Sequence, residues 1–232
     1  MRKLGLIGGM SWYSTELYYA RINKQVVKRT GGTCNAPLVL ESLNFCDIAK
    51  ATSDQDWDHV AEVLIAAAQR LEVTGATAIL ICANSMHKVY ERVEQAISIP
   101  LIHIADAVGT KMKTDGVQSA ALLGTANVMA ENWYRQRLVK HGVTLMPAEM
   151  DDVQDLDRII YDELMLGQVK RESERTLKSI ITEIDQEGIK AVVLGCTELC
   201  MIVDTKANIL PIYDSTEIHA DVGVEWILGD LS

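Results

Sequence analysis

Two stretches of this chain are similar to one another, and this internal repeat constrains the fold more than any other feature of the sequence. The apolar segment 191–194 is followed by Gly-Cys-Thr-Glu, and the apolar segment 78–81 is followed by Cys-Ala-Asn-Ser. Aligned in this way, Ala83 corresponds to Cys196. Repetition at a fixed period is the sequence signature of a chain built from similar structural units. The repeat therefore predicts two related halves.

Two further pairs of segments repeat in the same order. Residues 4–9 resemble residues 120–125, and the proline-containing segment 99–102 resembles 210–213. Apolar segments of strand length alternate with segments of helical periodicity, which is typical of parallel sheets with right-handed crossovers. We therefore predict an α/β fold of two pseudo-symmetric lobes, each a parallel sheet flanked by helices, with the site in the cleft between them.

The chain of 232 residues is long enough for two such lobes. The first lobe is predicted to comprise residues 1–106 plus 215–232, because the closing helix is expected to pack back on the first half. The second lobe comprises residues 107–214. Helical periodicity also predicts helices over 12–30, with Leu17 on the inner face, and over 86–96.

Composition and charge limit the classes of partner. The net charge of −10 argues against nucleic acid, because phosphate binding needs clustered lysines and arginines. No apolar run approaches the roughly 20 residues that a membrane helix needs. The five cysteines have neither CxxC spacing nor a histidine pairing typical of a metal site. With no signal peptide, they indicate reduced thiols in the cytoplasm.

The residues that follow the strands are the candidate site residues, because ligands of open α/β sheets bind at the carboxyl ends of the strands. Cys196, Thr197 and Glu198 follow one predicted strand, and Asn84 and Ser85 follow its repeat. A lone cysteine at such a position is more often a packing residue than a reactive one. The presence of a repeat makes a functional role for Cys196 the better interpretation.

The turn after the first strand, residues 8–11, is a second candidate. Its glycines let backbone N–H groups face a ligand at the start of a helix, an arrangement that suits an anion. Ser11 or Ser14 could cap that helix, and Met10 either lines the cleft or packs in the core. The turn is neither a P-loop nor a dinucleotide fingerprint, and an ordinary strand-to-helix turn explains any one of these residues equally well.

Two related lobes around one ligand would present equivalent groups to its opposite faces. This geometry suits removal of a proton from a stereocentre on one side and return of a proton on the other. Free cysteine titrates near 8.5 and neighbours can lower that value, so a thiol and a thiolate can act as acid and base near neutral pH. Backbone amides and hydroxyls would stabilise a developing enolate. No metal and no cofactor are required.

The motifs at 5–12, 82–88, 123–125 and 195–198 together resemble the aspartate/glutamate racemase family, over essentially the whole chain. The resemblance implies the two-lobed α/β fold and a cofactor-independent amino-acid racemase. It also implies a small-molecule substrate, an acidic amino acid and aspartate above all, and in many members a homodimer.

The resemblance assigns roles to individual residues. The second family cysteine falls on Cys196. The family's Asn-Thr-x-His falls on the segment 84–87, with serine replacing threonine, so that Asn84 and Ser85 would bind the substrate carboxylate. Thr125 and Thr197 would supply equivalent contacts from the other lobe.

Four further residues complete the predicted site. Met10 and Ser11 are assigned to substrate binding with the turn that contains them. Glu198 would hold the substrate ammonium or help to deprotonate the neighbouring thiol. His87 would position the substrate-binding loop without contacting the substrate. A structural role, as a hydrogen-bonded histidine on a helix face, explains the presence of His87 nearly as well.

The chain departs from the family pattern at the first catalytic cysteine, where it has Ala83. The internal repeat independently places Ala83 opposite Cys196. Cys82 lies one residue earlier, and because neighbouring side chains on a strand point to opposite faces, it is predicted to face the core.

A site with one thiol has three interpretations. The first is racemisation with Cys196 on one face of the substrate and water, Ser85 or His87 on the other. The second is a reaction with a single proton transfer, such as decarboxylation of a malonate-like acid. The third is a non-catalytic protein that binds carboxylates. The motifs as a set favour the first.

Overall fold

The computed structural model describes residues 1–146 and 150–229. The chain folds into two compact units, one of residues 1–104 together with the chain from His219 onward, the other of residues 105–218. The last three residues assigned to the predicted first lobe, 230–232, lie outside the described residues. The lobe boundaries proposed from the sequence stay a prediction, and the two units are described separately below.

The first unit contains a sheet of four parallel strands in the order β2-β1-β3-β4. The strands are β1 (Leu4–Gly8), β2 (Leu38–Ser42), β3 (Ala78–Ile81) and β4 (Leu101–Ile102). The connecting helices are α1 (Trp12–Thr30), α2 (Phe45–Ser53), α3 (Trp57–Val73), a 3₁₀ helix (Ser85–Val89) and α4 (Tyr90–Glu94). β1 and β3 are buried along their whole length, as expected of central strands in a sheet covered on both faces.

The second unit repeats this arrangement with strands in the order β6-β5-β7-β8, again all parallel. The strands are β5 (Ser119–Leu123), β6 (Thr144–Leu145), β7 (Val192–Leu194) and β8 (Ile212–Asp214). The helices are α5 (Ile104–Thr114), α6 (Ala126–Met129), α7 (Asn132–Lys140), α8 (Met150–Asp162) and α9 (Arg171–Gln186), with 3₁₀ helices at Leu164–Leu166 and Thr197–Met201. The last helix, α10 (Ser215–Leu228), begins in this unit, and its residues from His219 onward belong to the first. The two sheets confirm the predicted fold class.

Equivalent backbone hydrogen bonds fix the correspondence between the two halves. The Cys82 N–H donates to the Ile7 carbonyl over 2.8 Å, and the Gly195 N–H donates to the Leu123 carbonyl over 2.6 Å. In each case the residue after the third strand of the unit bonds to the first strand. Cys82 and Gly195 are therefore equivalent, and the residues that follow them, 83 and 196, are equivalent as well.

Strand alternation places the side chains of β3 in two different hydrophobic clusters. Ile79 and Ile81 pack with α3, whereas Leu80 and Cys82 pack on the opposite face with α1 and α10. The prediction that Cys82 faces the core is confirmed, since the residue has no exposed surface. Burial alone raises the pKa of the Cys82 thiol far above its usual range, so this thiol stays protonated.

The closing helix α10 packs on the first unit's sheet, as the sequence predicted. Ala220, Val224 and Ile227 are fully buried in the cluster that contains Leu4 of β1. Gly223 lies within the same contact, where a Cβ atom would approach the side chains of Leu4 and Leu80 to 2.9 Å. The glycine thus allows α10 to lie close against the sheet.

Two local predictions in this unit were wrong. Leu17 is 43% exposed, and the inner face of α1 carries Tyr18 in its place, which is fully buried. The segment predicted as one helix over 86–96 is a 3₁₀ helix at Ser85–Val89 followed by the short α4. Side-chain hydrogen bonds accompany both differences: Tyr18 bonds to His219, and the His87 ring lies against the Ala83 and Asn84 carbonyls.

Tyr18 is buried because its hydroxyl has a partner from the other end of the chain. The Tyr18 hydroxyl lies 2.7 Å from Nδ1 of His219, and Nε2 of His219 lies 2.9 Å from the Ile102 carbonyl. Only the tautomer protonated on Nε2 satisfies both contacts, with the imidazole donating to the carbonyl and the hydroxyl donating to Nδ1. Burial, followed by the neighbouring His87, lowers the pKa of His219 to about 3.

We expect the protein to lose stability as the pH falls below about 6.5, because an unfolded chain would protonate His219 and the folded protein cannot. This one group should cost about 2 kcal/mol of unfolding free energy between pH 7 and pH 5. Thermal unfolding of the wild type and of His219→Gln at both pH values measures the effect. The variant, neutral at all pH, should lose less stability on acidification; equal losses would contradict the account.

Candidate active site

The second unit places a thiol and a carboxylate in contact after β7. Cys196 is two residues beyond the strand and buried, and its Sγ lies 3.1 Å from Oε2 of Glu198, to which the thiol donates. Glycine is needed at position 195, because a Cβ atom there would lie only 2.7 Å from the Val128 side chain. The 3₁₀ helix Thr197–Met201 that follows carries the Glu198 carboxylate back to the thiol.

The charge of this pair is set by burial. Desolvation raises the pKa of the Cys196 thiol well above its usual range, and the Glu198 carboxylate raises it further. The thiol is therefore protonated at neutral pH and hydrogen-bonded to an acceptor that can receive its proton. The arrangement can donate a proton to a carbanion, and it can generate a thiolate once the Cys196 proton moves to Glu198.

Two side chains of α8 belong to the same neighbourhood and were missed by the sequence interpretation. Asp157 Oδ1 accepts a hydrogen bond from the Ala126 N–H over 2.8 Å, at the carboxyl end of β5. Burial raises the pKa of Tyr161 to about 12, with further contributions from the negative charges of Asp157, Cys196 and Glu198. These residues lie far from any strand end in the sequence, so no local pattern marks them.

The two threonines predicted for this half lie at the same sheet edge. Thr125 follows β5 and Thr197 follows Cys196, and both are buried. Within residues 1–146 and 150–229, the Thr125 hydroxyl has no hydrogen-bond partner. A buried hydroxyl without a partner is costly, typically by about 1–3 kcal/mol, so Thr125 is suited to bind a ligand.

The first-unit turn is built by hydrogen bonds around the start of α1. The Ser11 hydroxyl accepts from the Ser14 N–H over 3.4 Å and so caps the helix. The Thr15 hydroxyl accepts from the Gly9 N–H over 2.9 Å and donates to the Ser11 carbonyl over 3.0 Å. Ser11, one of the two predicted caps, is therefore held at the helix start with its hydroxyl at the carboxyl end of β1.

Met10 lies beside these residues but packs inward. Its side chain is 4% exposed and belongs to the hydrophobic cluster around α3. Gly9 has a φ of +82°, and a Cβ atom there would lie 2.2 Å from the Leu43 carbonyl oxygen. Gly9 is thus required by the turn, while the packing of Met10 accounts for its apolar character.

The backbone of the loop after β3 is hydrogen-bonded to the side chain of His87. Nε2 of His87 accepts from the Ile104 N–H over 3.3 Å, so Nδ1 carries the proton and lies 2.9 Å from the Ala83 carbonyl and 3.3 Å from the Asn84 carbonyl. Both ring nitrogens are occupied, and the ring is buried. These bonds fix the position of Asn84, which is buried, and of Ser85, which is partly exposed.

The described residues contain neither a metal-binding cluster nor a membrane-spanning helix. Across 1–146 and 150–229, no group of three or more His, Cys, Asp or Glu side chains is arranged to hold a metal ion. None of the helices within this part of the chain is long and apolar enough to cross a membrane.

Comparison with known sequences identifies similar proteins over nearly the whole chain. A sequence model of the Asp/Glu/Hydantoin racemase family matches residues 7–222. The chain is also 23% identical over 214 residues to the broad specificity amino-acid racemase RacX of Bacillus subtilis, an alignment that covers 92% of each chain.

Two solved structures are similar in both fold and sequence. A candidate Asp/Glu racemase from Yersinia pestis is 38% identical with a TM-score of 0.92, covering 98% of this chain and 100% of the other. An aspartate racemase homologue from Pyrococcus horikoshii is 31% identical with a TM-score of 0.84, at the same coverage.

The contact between Cys196 and Glu198 predicts that Glu198→Gln makes Cys196 a more reactive thiol. Loss of the carboxylate charge should lower the pKa of Cys196, so its alkylation by iodoacetamide at pH 8 should accelerate severalfold. Tandem mass spectrometry localises the label by fragmentation of the peptide that carries both Cys196 and Cys200, and the exposed Cys46 serves as an internal reference. An unchanged or slower reaction at Cys196 would show that the carboxylate does not control the thiol.

Proposed function

Because this chain belongs to the Asp/Glu/Hydantoin racemase family and is an isomerase, we propose that it racemises acidic amino acids, aspartate and glutamate, without a cofactor. The observation that carries the proposal is the hydrogen bond between the buried Cys196 thiol and the Glu198 carboxylate. A thiol and a carboxylate can themselves remove and return a proton at Cα.

Cys196 acts as the acid and base on one face of the substrate. In the free protein the thiol is neutral, because burial and Glu198 both disfavour the thiolate. An incoming ammonium group would offset the negative charge, so that the proton of Cys196 can move to Glu198 and leave a thiolate to attack the Cα proton. In the reverse direction the protonated thiol returns its proton to the carbanion.

The substrate carboxylate is proposed to bind to hydroxyl and amide groups at the strand ends. The proposed carboxylate-binding residues are Thr125 and Thr197, together with Ser11, Asn84 and Ser85. The buried Thr125 hydroxyl, which has no partner among the described residues, supports this assignment. Met10 would contribute only by shaping the turn, because its side chain packs in the core.

The second proton transfer lacks a thiol in this chain. Ala83 is equivalent to Cys196 in the two halves and has no group that titrates. Both nitrogens of His87 are engaged with backbone groups, so we assign the second transfer to water or to the Ser85 hydroxyl. Loss of a positioned acid or base commonly costs about 10²–10⁴-fold in rate, and we therefore expect slow racemisation.

Because Ala83 leaves the site with one thiol, two other functions are candidates. Decarboxylation of a malonate-like acid needs one proton transfer, and one thiol is sufficient for it. A non-catalytic protein that binds carboxylates would need neither a proton transfer nor a thiol. We rank both below racemisation, because Glu198 is placed to exchange a proton with Cys196.

We also propose that the protein is a cytoplasmic homodimer. The free thiols of Cys34 and Cys46 are exposed, a condition that reducing compartments tolerate better than oxidising ones. Size-exclusion chromatography with light scattering tests the dimer.

We predict that the protein exchanges the Cα proton of aspartate or glutamate with solvent deuterium, and that Cys196→Ser reduces this exchange at least about 10²-fold. Proton NMR in D₂O with chiral analysis of both enantiomers measures exchange and inversion together. Cys46→Ser, which changes an exposed thiol, should leave both rates unaltered.

The outcomes separate the candidates. Inversion of both enantiomers supports racemisation. Exchange of one enantiomer with retention would favour a reaction with a single proton transfer, and binding without exchange would favour the non-catalytic protein.

A further inference from the structure

In the second unit, three residues follow the ends of three neighbouring strands at equivalent positions. Leu123 pairs with Leu194, and Leu194 pairs with Asp214. Two residues beyond these positions, the three neighbouring strands β5, β7 and β8 lead to Thr125, Cys196 and Thr216. All three residues therefore follow the carboxyl ends of neighbouring strands, and the strand that leads to Cys196 is the middle one.

Both flanking threonines have buried hydroxyls without partners. Thr216 is 4% exposed and Thr125 is 8% exposed, and neither Oγ1 has a hydrogen-bond partner within residues 1–146 and 150–229. Thr216 lies in the first turn of α10. The cap of this helix is Asp214, whose Oδ1 accepts from the N–H groups of Thr216 and Glu217 over 2.9 and 3.1 Å, so the Thr216 hydroxyl takes no part in capping.

The surroundings of Thr216 are negatively charged. The Thr216 N–H donates to the Asp214 carboxylate, and Glu217 is its neighbour in α10. After burial, these two carboxylates and Glu198 also raise the pKa of Cys200, to about 12. A negative environment favours a cationic ligand group over a carboxylate. At the end of β5, the Thr125 hydroxyl is free for the remaining polar substituent of Cα.

We propose that Thr216 is a substrate-binding residue, and that its hydroxyl accepts a hydrogen bond from the substrate α-ammonium group while Cys196 faces Cα and Thr125 binds the carboxylate. The inference rests on the proposed function, since it concerns the same site. It adds a residue that lies outside the repeated strand-end motifs and gives the substrate an orientation across the three strand ends.

The test uses the full chain with Thr216→Val, which removes the hydroxyl at nearly constant volume, and Thr216→Ser, which keeps it. Thr182→Val is the matched control, because Thr182 is an exposed helical residue of the same unit whose hydroxyl donates to the Lys178 carbonyl. For each protein we would measure the thermal midpoint without ligand, the kcat and KM of Cα exchange with L-aspartate, and inhibition by succinate, which has no ammonium group.

The proposal predicts that Thr216→Val raises KM for L-aspartate about 10- to 100-fold, the range for a hydrogen bond to a charged group. The thermal midpoint should stay the same or rise, since a buried hydroxyl without a partner is removed. Thr216→Ser should restore KM to near the wild-type value, and succinate inhibition should change less than about twofold. Thr182→Val should leave kcat and KM unaltered.

Other outcomes overturn it. A lower thermal midpoint or loss of folding in Thr216→Val would show a structural role for the hydroxyl, and an unchanged KM would show that the substrate does not contact it. A parallel loss of succinate inhibition would assign the contact to a carboxylate. If Thr216→Val gives any of these three results but the wild type exchanges Cα protons, the inference on Thr216 fails and the proposed function stands. If the wild type neither exchanges nor binds amino acids, the proposed function fails with it.

Discussion

The parallel direction of every strand determines where the chemistry of this protein can be. In a parallel sheet all carboxyl ends lie at one edge, so the turns that follow the strands bring residues from distant parts of the sequence together. Each unit builds such an edge from four strands in the same order. The central strands are apolar and buried, which leaves the residues just beyond them as the first positions where polar groups can be placed.

The two edges have the same geometry but different chemistry. At equivalent positions the first unit has Gly9 and Ala83, and the second has Thr125 and Cys196. Burial gives the second unit's thiol its properties, because a desolvated Cys196 keeps its proton and holds it against Glu198. In the first unit the equivalent loop is hydrogen-bonded to His87 through two backbone carbonyls. The duplication thus supplies two similar sheets, and at the equivalent position after the third strand the second unit has a thiol where the first has an alanine.

Local sequence rules succeeded where the cause is local. Strand alternation predicted that Cys82 faces the core, and the repeat predicted two related lobes, each with a parallel sheet. They failed where a distant partner decides the outcome. Tyr18 is buried in place of Leu17 because His219, near the other end of the chain, bonds its hydroxyl. Thr216 and Tyr161 carry no local signal for the same reason, since their environment exists only once the sheet has formed.

The central claim is that one thiol and its carboxylate partner perform the proton transfer, and that Ala83 occupies the position where a second thiol would complete the pair. Its most direct test is Ala83→Cys, with Ala83→Ser as the control of similar size. Interconversion of L- and D-aspartate, followed by chiral analysis, should rise by about 10²-fold or more in the cysteine variant and little in the serine variant. A folded Ala83→Cys protein with an unchanged rate of inversion would contradict the account.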